Sequence, residues 1–427
     1  MFGRRHIGHT LVVEMLKGKS YESVVMCESN ARKQLWLKCD PGCIFDNIVT
    51  MSSNPHCVVH NRPCSPAEKA SGARVVICGW SCKDLSTCNK NFKSRGGVLE
   101  AGKGTSGSTF HGLLSVLDAL ATLTIYIGEN VKDISLPSSE NRAFLYEALS
   151  SRGWVADLRL LQATDYGARV QRARAWIIAV HAGRLGITVE AARHLLCQIF
   201  AVIDRLKVPP PLELEAMLLK DTDVYVKKHM AAVKASSEQA LSASSRASGS
   251  GEWQRQLAKT LAEAGMRWSE CVPSPEKTKG SIAYAALPSR EKLACGLTLA
   301  TSPGLFCVDV SQTIGRLYTS DDRALPCITP EAKIMLLQRK PMRLLLGVEA
   351  LMLHGASRAW LQRRLDAGDF SDSFLLDLAG NSFVGYVFAA CLLAILATGP
   401  PLASPVIQED RSSESDILAL VDTTLGL

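Results

Sequence analysis

A cysteine in a short polar loop is the first residue of this chain that could act as a nucleophile. Cys82 lies in GWSCKDLS (79–86), directly after the apolar run ARVVICG (73–79). Such a run is typical of a buried strand, so the loop places the thiol at the strand end, where a substrate can reach it. For any one of 14 cysteines, however, an inert buried thiol is the more common outcome.

An acid and a pair of arginines are two further polar features at predicted strand ends. Glu129 follows the apolar run LTIYIG (123–128), where a carboxylate is costly to keep unless it is paired or functional. Arg172 and Arg174 precede AWIIAV (175–180), and their spacing of two points both guanidinium groups to one face of a strand. Taken singly, the acid is more often structural, and the arginines more often form a solvated edge.

In combination and in this order, the three segments resemble the DNA (cytosine-5)-methyltransferase family. GWSCK (79–83) is similar to the family's Gly-Phe-Pro-Cys-Gln loop, ENV (129–131) matches its Glu-Asn-Val, and Arg172 with Arg174 matches its paired arginines. The resemblance covers about residues 23–398. Further similar segments are ALPCITP (324–330), RLLLGVEALMLHG (343–355) and LAGNSF (378–383).

The resemblance implies methyl transfer from S-adenosylmethionine to carbon 5 of cytosine in DNA, on a base flipped out of the duplex. Cys82 would form a covalent bond to carbon 6 of the ring. Glu129 would hold or protonate ring nitrogen 3. Arg172 and Arg174 would steady the flipped base and the loop that carries Cys82.

The same resemblance implies which residues bind S-adenosylmethionine. Glu28, near the end of the run SVVMCES (23–29), stands where the family places the acid that binds the ribose hydroxyls. Asp46 stands where the family has an acid near the adenine amine. The remaining pocket residues would be Ser81, which replaces the usual proline, Asn381 and Ser382.

Departures from the family pattern leave a catalytically inactive DNA-binding or regulatory relative as an alternative. The family's Phe-x-Gly-x-Gly loop has no proper match in MFGRRHIGHT (1–10), so either the chain begins inside the domain or cofactor binding is impaired. Lys83, Val170 and His354 stand where the family usually has glutamine. The same chemistry on transfer RNA also stays open, because base flipping and backbone binding serve both substrates.

A group of potential metal ligands lies between residues 39 and 64. Their spacings do not form two Cys-x-x-Cys pairs, so a chance cluster in a surface loop is favoured over a zinc site. No metal is therefore predicted. The residues are Cys39, Cys43, His56, Cys57, His60 and Cys64.

The elements that must position these residues predict a doubly wound α/β fold, which resembles the Rossmann-like sheet of methyltransferases. Buried parallel strands are predicted at 23–29, 73–79 and 123–131, and another strand at 173–181. Leucines at helical spacing in 110–121 predict a crossover helix. Sheets of this kind bind ligands at the carboxyl ends of their strands, where the polar residues above are expected.

Changes in composition along the chain predict its domain organisation. Residues 1–181 are interpreted as the first part of the catalytic domain, 182–324 as a smaller target-recognition region, and 325–398 as the return to the catalytic domain. A Ser-rich linker is expected near 235–251, and a disordered tail at 399–427.

Overall composition limits the class and location of the protein. The chain has 427 residues, 47% hydrophobic and 21% charged, which is typical of a folded globular protein. A net charge of +7 suits a polyanionic partner but does not separate DNA from RNA. Scattered cysteines and the lack of a signal peptide favour a nuclear or cytoplasmic, reducing location.

The uncharged segment 378–407 could pass for a membrane span, but glycines and prolines at its ends favour a buried core helix and no membrane partner.

Overall fold

The computed structural model describes residues 24–40, 42–86, 97–210, 212–242, 252–263, 265–314, 317–321 and 323–399, without the side chains of 236–242 and 252–253. Three segments singled out in the sequence lie outside these residues: the N-terminal segment 1–10, residues 243–251 of the Ser-rich stretch, and residues 400–427 of the tail.

Helices occupy most of the described chain outside three small sheets. They are α1 (Ala31–Leu37), α2 (Pro66–Lys69), α3 (Gly104–Ala119), α4 (Glu140–Ser150), α5 (Ala182–Leu185), α6 (Val189–Arg205), α7 (Leu214–Met217), α8 (Val224–Ser242), α9 (Glu252–Glu263), α10 (Pro275–Thr278), α11 (Ile282–Ala286), α12 (Ser289–Thr301), α13 (Gly347–Leu353), α14 (Arg358–Asp366), α15 (Asp372–Asn381) and α16 (Gly385–Thr398). Short 3-10 helices lie at Lys132–Ser135, Ala163–Asp165 and Trp268–Cys271.

The first sheet contains four short strands in the order β1-β2-β3-β4. β1 and β2 are parallel and are connected through α1, which Asn30 caps by accepting hydrogen bonds from two backbone N–H groups. The following pairs are antiparallel. The strand predicted at 23–29 is confirmed as β1. The strands are β1 (Val25–Cys27), β2 (Cys43–Phe45), β3 (His56–Cys57) and β4 (Arg62–Pro63).

The second sheet carries the residues predicted for chemistry. Its strands are β5 (Val75–Cys78), β6 (Ile125–Val131), β7 (Trp154–Gln162) and β8 (Ala173–His181). Their order is β5-β6-β8-β7, with β5 parallel to β6 and β8 antiparallel to both neighbours. The three strands predicted in this region are confirmed. β7 was not predicted, because Asp157 and Arg159 interrupt its apolar residues at the edge of the sheet.

Helices cover both faces of this second sheet. Along β6, Ile125 and Ile127 pack into a cluster with α6 and α16, whereas Tyr126 packs on the other side with α3 and α4. Alternate residues of β8 divide between the same two clusters. The arrangement of helices around a mixed sheet confirms the predicted α/β class.

The third sheet is antiparallel and lies in the second half of the chain. Its strands, in the order β10-β9-β11-β12, are β9 (Cys307–Asp309), β10 (Tyr318–Ser320), β11 (Ile334–Leu336) and β12 (Arg343–Leu344). Residues of α11 and α12 cover it and form a separate apolar cluster. The sheet crosses the boundary expected at 324, because β11 and β12 follow it. Likewise, α8 continues to Ser242, into the stretch expected to be a linker.

The apolar segment near the C-terminal end forms α15 and α16. The stretch Asp372–Thr398 is long and apolar enough to cross a membrane, but 89% of its most apolar part is buried inside the protein. α16 contributes a row of buried residues to the cluster that contains α6. The prediction of a buried core helix is therefore confirmed.

A buried ion pair joins the third sheet to the helices that follow it. Glu349 on α13 accepts hydrogen bonds from Arg343 of β12 at 2.6 and 2.8 Å. The carboxylate also accepts hydrogen bonds from the backbone N–H groups of Leu219, at 2.8 Å, and Leu346, at 2.9 Å. Since Glu349 is 0% exposed, these bonds replace the water that the carboxylate loses on burial.

Candidate active site

The loop that carries Cys82 lies directly against strand β6. Gly79 follows β5, and a Cβ atom there would lie 2.8 Å from the carbonyl oxygen of Glu129, so a larger residue would push the two segments apart. The side-chain amide of Asn130 donates a hydrogen bond to the carbonyl of Trp80 at 3.3 Å. These contacts hold the half-buried Cys82 beside the end of β6.

The same loop is fastened to the beginning of α3. The backbone N–H of Ser81 donates to the hydroxyl of Thr109 at 3.0 Å. Asp84 and Ser106 exchange hydrogen bonds, each backbone N–H donating to the other residue's side chain at 3.0 Å. The loop is thus fixed on both sides of Cys82 by hydrogen bonds to α3.

Glu129 and the two predicted arginines are brought together by the pairing of β6 with β8. Val131 lies opposite Arg174 in the ladder, so Glu129 is the diagonal neighbour of Arg174. Arg174 Nε lies 3.1 Å from Oε1 of Glu129, and Arg172 Nη2 lies 4.0 Å from the same oxygen. Since Glu129 is only 2% exposed, the arginines supply the charge compensation that water cannot.

Both arginines also contact Cys327, in the segment 324–330 that precedes the third strand of the third sheet. Nη1 of Arg172 and Nη2 of Arg174 lie 3.8 and 3.7 Å from Sγ of Cys327. Burial opposes the charge on Arg174, but the nearby Glu129, Cys327 and Cys82 raise its pKa above the ordinary value. Arg174 therefore contacts both the predicted acid and Cys327.

Ser382, expected in the cofactor pocket, contacts Arg172 and His354. It is 3% exposed, and its carbonyl accepts a hydrogen bond from Arg172 at 3.2 Å. Its hydroxyl lies 2.8 Å from Nδ1 of His354, which is fully buried. Burial, followed by the charges of Arg172 and Arg174, keeps the pKa of His354 well below its usual value. His354 is therefore neutral. It contacts the hydroxyl of Ser382, whose carbonyl accepts the hydrogen bond from Arg172.

The other residues predicted for cofactor binding line one cavity together with Cys82. Glu28 comes from the end of β1, Asp46 from the end of β2, Ser81 from the Cys82 loop and Asn381 from α15. Four of the five predicted residues thus meet at the carboxyl edge of two sheets. The lining residues are Cys27, Glu28, Ser29, Lys33, Asp46, Asn47, Ile48, Ser81, Cys82, Lys83, Thr105, Thr109, Leu378 and Asn381.

The polar lining of this cavity is positioned by short hydrogen bonds. Glu28 is 6% exposed, and its Oε1 accepts the backbone N–H of Asn30 at 2.9 Å. Asp377 holds both Asn381, by an amide hydrogen bond of 2.6 Å, and Lys33, by an ion pair of 2.7 Å. A buried acid facing polar donors at one end of a cavity can bind vicinal hydroxyl groups of a nucleoside.

Comparisons with known proteins identify solved structures of similar overall shape. No family model matches the chain, and no curated protein sequence does. A mutant of DNMT2 from Spodoptera frugiperda aligns with a TM-score of 0.46 and 13% identity, over 92% of this chain and 98% of that chain. The S. pombe Dnmt2 methyltransferase aligns with a TM-score of 0.49 and 12% identity, over 91% and 94%. The Entamoeba histolytica methyltransferase EhMeth gives 0.47 and 11%, over 91% and 94%.

Several residues at the site were not identified as functional candidates in the sequence. No local sequence pattern marks Thr109, Lys33 or Asp377 as a site residue. They come from three different helices, α3, α1 and α15 respectively. Cys327 lies in the segment 324–330, which is similar to the family's, yet nothing in the sequence indicates its contact with the arginines. His354 stands where the family usually has glutamine, and the sequence alone indicates no role for it.

Four of the six potential metal ligands are also brought together, on the first sheet. Cys43, Cys57, His60 and Cys64 form a cluster. This differs from the expectation of a chance cluster in a surface loop, since the cysteines of the group are buried in strands and their flanks.

The depressed pKa of His354 predicts a loss of stability in acid. The unfolded chain takes up a proton near pH 6.5, whereas the folded protein resists it, so stability falls as the pH drops below that value. The slope from this group should approach about 1.4 kcal/mol per pH unit. His354→Gln should remove this component, measured as the difference in urea unfolding free energy between about pH 7.5 and about pH 5.5.

The matched control is His194→Gln, on an exposed face of α6, which should keep the wild-type acid sensitivity. His181, whose pKa burial and Arg184 also lower, contributes equally to all three proteins. Equal acid sensitivity in His354→Gln and the wild type would contradict the assignment.

Proposed function

We propose that the protein transfers a methyl group from S-adenosylmethionine to carbon 5 of cytosine in DNA, through a covalent bond to Cys82. The observation that supports this most strongly is the position of Arg174. It makes an ion pair with Glu129 on β6. The loop that carries Cys82 is held against the same strand by the hydrogen bond from the Asn130 amide to the Trp80 carbonyl. A predicted nucleophile, an acid and a cation therefore come from neighbouring elements at the edge of the sheet.

The arrangement suits the first step of such a reaction. Carbon 5 of cytosine is a poor nucleophile, and addition of the Cys82 sulfur to carbon 6 converts the ring to an enamine-like carbanion. The Cys82 thiolate forms a bond to carbon 6, the double bond between carbons 5 and 6 breaks, and its electron pair gives the ring negative charge. The carboxyl group of Glu129, carrying a proton, would donate this proton or a hydrogen bond to ring nitrogen 3 and so offset that charge. Arg174 keeps the carboxyl group in place, and Arg172 is held in turn by the carbonyls of Ile328 and Ser382.

The second step completes the exchange at carbon 5. Carbon 5 would take the methyl group as its bond to the sulfonium sulfur of the donor breaks, with the electron pair of that bond going to the sulfur. A base would then remove the proton from carbon 5. The electron pair of the C–H bond restores the ring double bond, and Cys82 leaves as a thiolate. The fixed loop around Cys82 keeps the sulfur at the same position for addition and departure.

The cavity beside Cys82 fits S-adenosylmethionine by the chemistry of its lining. Glu28 would bind the ribose hydroxyls, and Asp46 would accept a hydrogen bond from the adenine amine. Ile48 and Leu378 provide apolar contacts, while Ser81 and Asn381 complete the polar lining. When bound here, the cofactor supplies an electrophilic methyl group. Ser382 is not assigned to this pocket, because its hydroxyl lies against His354.

The nucleic acid would bind across the region between the second and third sheets. Cys327 and Ile328, which contact the arginines, directly follow the region proposed for target recognition. A base must be flipped out of a duplex to reach Cys82, at a cost of a few kcal/mol that other contacts offset. A reducing location, nuclear or cytoplasmic, is part of the proposal, because Cys82 must be a free thiol.

The proposal predicts a trapped adduct with fluorinated cytosine. Fluorine at carbon 5 cannot leave as a cation, so Cys82 stays bonded to carbon 6 after methyl transfer. The protein, S-adenosylmethionine and duplex DNA of random sequence containing 5-fluorocytosine should give a denaturation-resistant band. Cys82→Ala should give none, and Cys197→Ala, an exposed thiol on α6, should give the wild-type amount.

The same assay with fluorinated transfer RNA separates the substrates. An adduct with RNA alone would contradict the DNA assignment while keeping the Cys82 chemistry. Absence of an adduct with either polymer, from protein that binds S-adenosylmethionine, would overturn the catalytic proposal and favour a DNA-binding relative without activity.

A second prediction concerns the cofactor cavity. Glu28→Ala removes the buried acid proposed to bind the ribose, and a hydrogen bond to a charged group contributes about 1.5–3 kcal/mol. Binding of S-adenosylmethionine should therefore weaken by roughly 10- to 100-fold, measured by isothermal titration calorimetry. The control Glu68→Ala lies on an exposed face of α2. Equal affinity for the two variants would show that the cofactor does not bind at Glu28.

A further inference from the structure

Four metal-binding side chains lie together on the first sheet, outside the proposed active site. Cys43 begins β2, Cys57 ends β3, His60 lies in the turn after β3, and Cys64 directly follows β4. Their ligand atoms all lie within 4.8 Å of one another. The three cysteines are 2%, 0% and 9% exposed, whereas the histidine lies at the surface.

The geometry of this cluster is that of a coordination shell. Nδ1 of His60 lies 3.6 Å from Sγ of Cys43, 3.3 Å from Sγ of Cys57 and 3.5 Å from Sγ of Cys64. A ring nitrogen offers one in-plane direction for a hydrogen bond, so hydrogen bonding does not account for three sulfur neighbours. Tetrahedral zinc, with bonds of about 2.3 Å to sulfur and about 2.0–2.1 Å to nitrogen, places these atoms about 3.5 Å apart.

The turn after β3 places the imidazole beside the sulfur atoms. Asn61, directly after His60, takes a left-handed conformation with φ 49°. Nδ1 of His60 thereby lies 3.3 Å from Sγ of Cys57, which is only three residues earlier in the chain.

We propose that Cys43, Cys57, His60 and Cys64 bind one Zn²⁺ ion as a structural site. Three thiolates and one imidazole are a ligand set that zinc prefers. All four tetrahedral positions are occupied by protein groups, so no position is left for a substrate or a catalytic water. The ion would therefore stabilise the fold and take no part in the proposed reaction.

The local fold explains why an ion is needed at this place. β3 and β4 have two residues each, and strands this short contribute few backbone hydrogen bonds. Cys43 lies three residues before Asp46, whose carboxylate contacts His56 at 3.1 Å. A bond from Cys43 to the ion would join β2 to the β3–β4 turn and so fix the start of the loop that carries Asp46.

The test measures metal content directly and does not depend on methyl transfer. Protein purified under reducing conditions and exchanged into metal-free buffer should contain close to one zinc per chain by inductively coupled plasma mass spectrometry. His60→Ala, at an exposed position, and Cys57→Ser should lose most of it. Cys39→Ser changes an exposed thiol four positions before Cys43 and should keep the full amount.

A second readout covers variants that fold poorly. Removal of zinc from the wild-type chain by a chelator should lower its melting temperature, and added Zn²⁺ should restore it. Cobalt in place of zinc should give the visible absorption of a tetrahedral thiolate site. A folded wild type without zinc, an intact mass showing a disulfide among these cysteines, or full zinc in both His60→Ala and Cys57→Ser would overturn the proposal.

Discussion

The buried ion pair between Glu129 and Arg174 is the interaction on which the candidate active site depends. A carboxylate that is 2% exposed has lost almost all of its water, and an uncompensated charge there would cost several kcal/mol. The cation comes from β8, so its antiparallel pairing beside β6 is a requirement of the site. The ladder places Arg174 diagonally opposite Glu129, at a separation of 3.1 Å.

The other contacts around the arginines keep this ion pair in place. The second arginine, Arg172, needs acceptors for its guanidinium, and the carbonyls of Ile328 and Ser382 supply them from segments far along the chain. Ser382 is positioned by the neutral ring of His354. The long chain segment after β8 must therefore return to the sheet before the arginines are correctly oriented. The cavity next to the Cys82 loop is lined on one side by α15, which belongs to the same returning segment.

Local patterns predicted the parts of the fold that depend on neighbouring residues. The strands near 25, 75, 125 and 173 were predicted correctly, because buried strands have continuous apolar runs that end in polar residues. β7 was missed because an edge strand tolerates charges such as Asp157 and Arg159. The pairing of β9 with β11 in the third sheet could not be predicted, because strand pairing between distant segments leaves no local signal.

Local patterns likewise predicted some of the site residues and missed the contacts made between distant segments. Glu28, Asp46, Ser81 and Asn381 were expected around one pocket, and the structure places them in one cavity, since each lies at or near an element end. Ser382 was expected beside them, but it faces His354, because the backbone turns between α15 and α16. The Cys43 cluster was judged a chance arrangement, since spacing along the chain does not show that β2 pairs with β3.

The most direct measurement of the central claim is a double-mutant cycle between Glu129 and Arg174. The rate of tritium release from carbon 5 of labelled cytosine reports addition of Cys82 and methyl transfer together. Glu129→Gln and Arg174→Met should each slow release by about 10²- to 10⁴-fold, the range for a positioned acid. If the arginine acts by holding the carboxylate, the double variant is no slower than the slower single variant. Losses that multiply in the double variant would contradict the account.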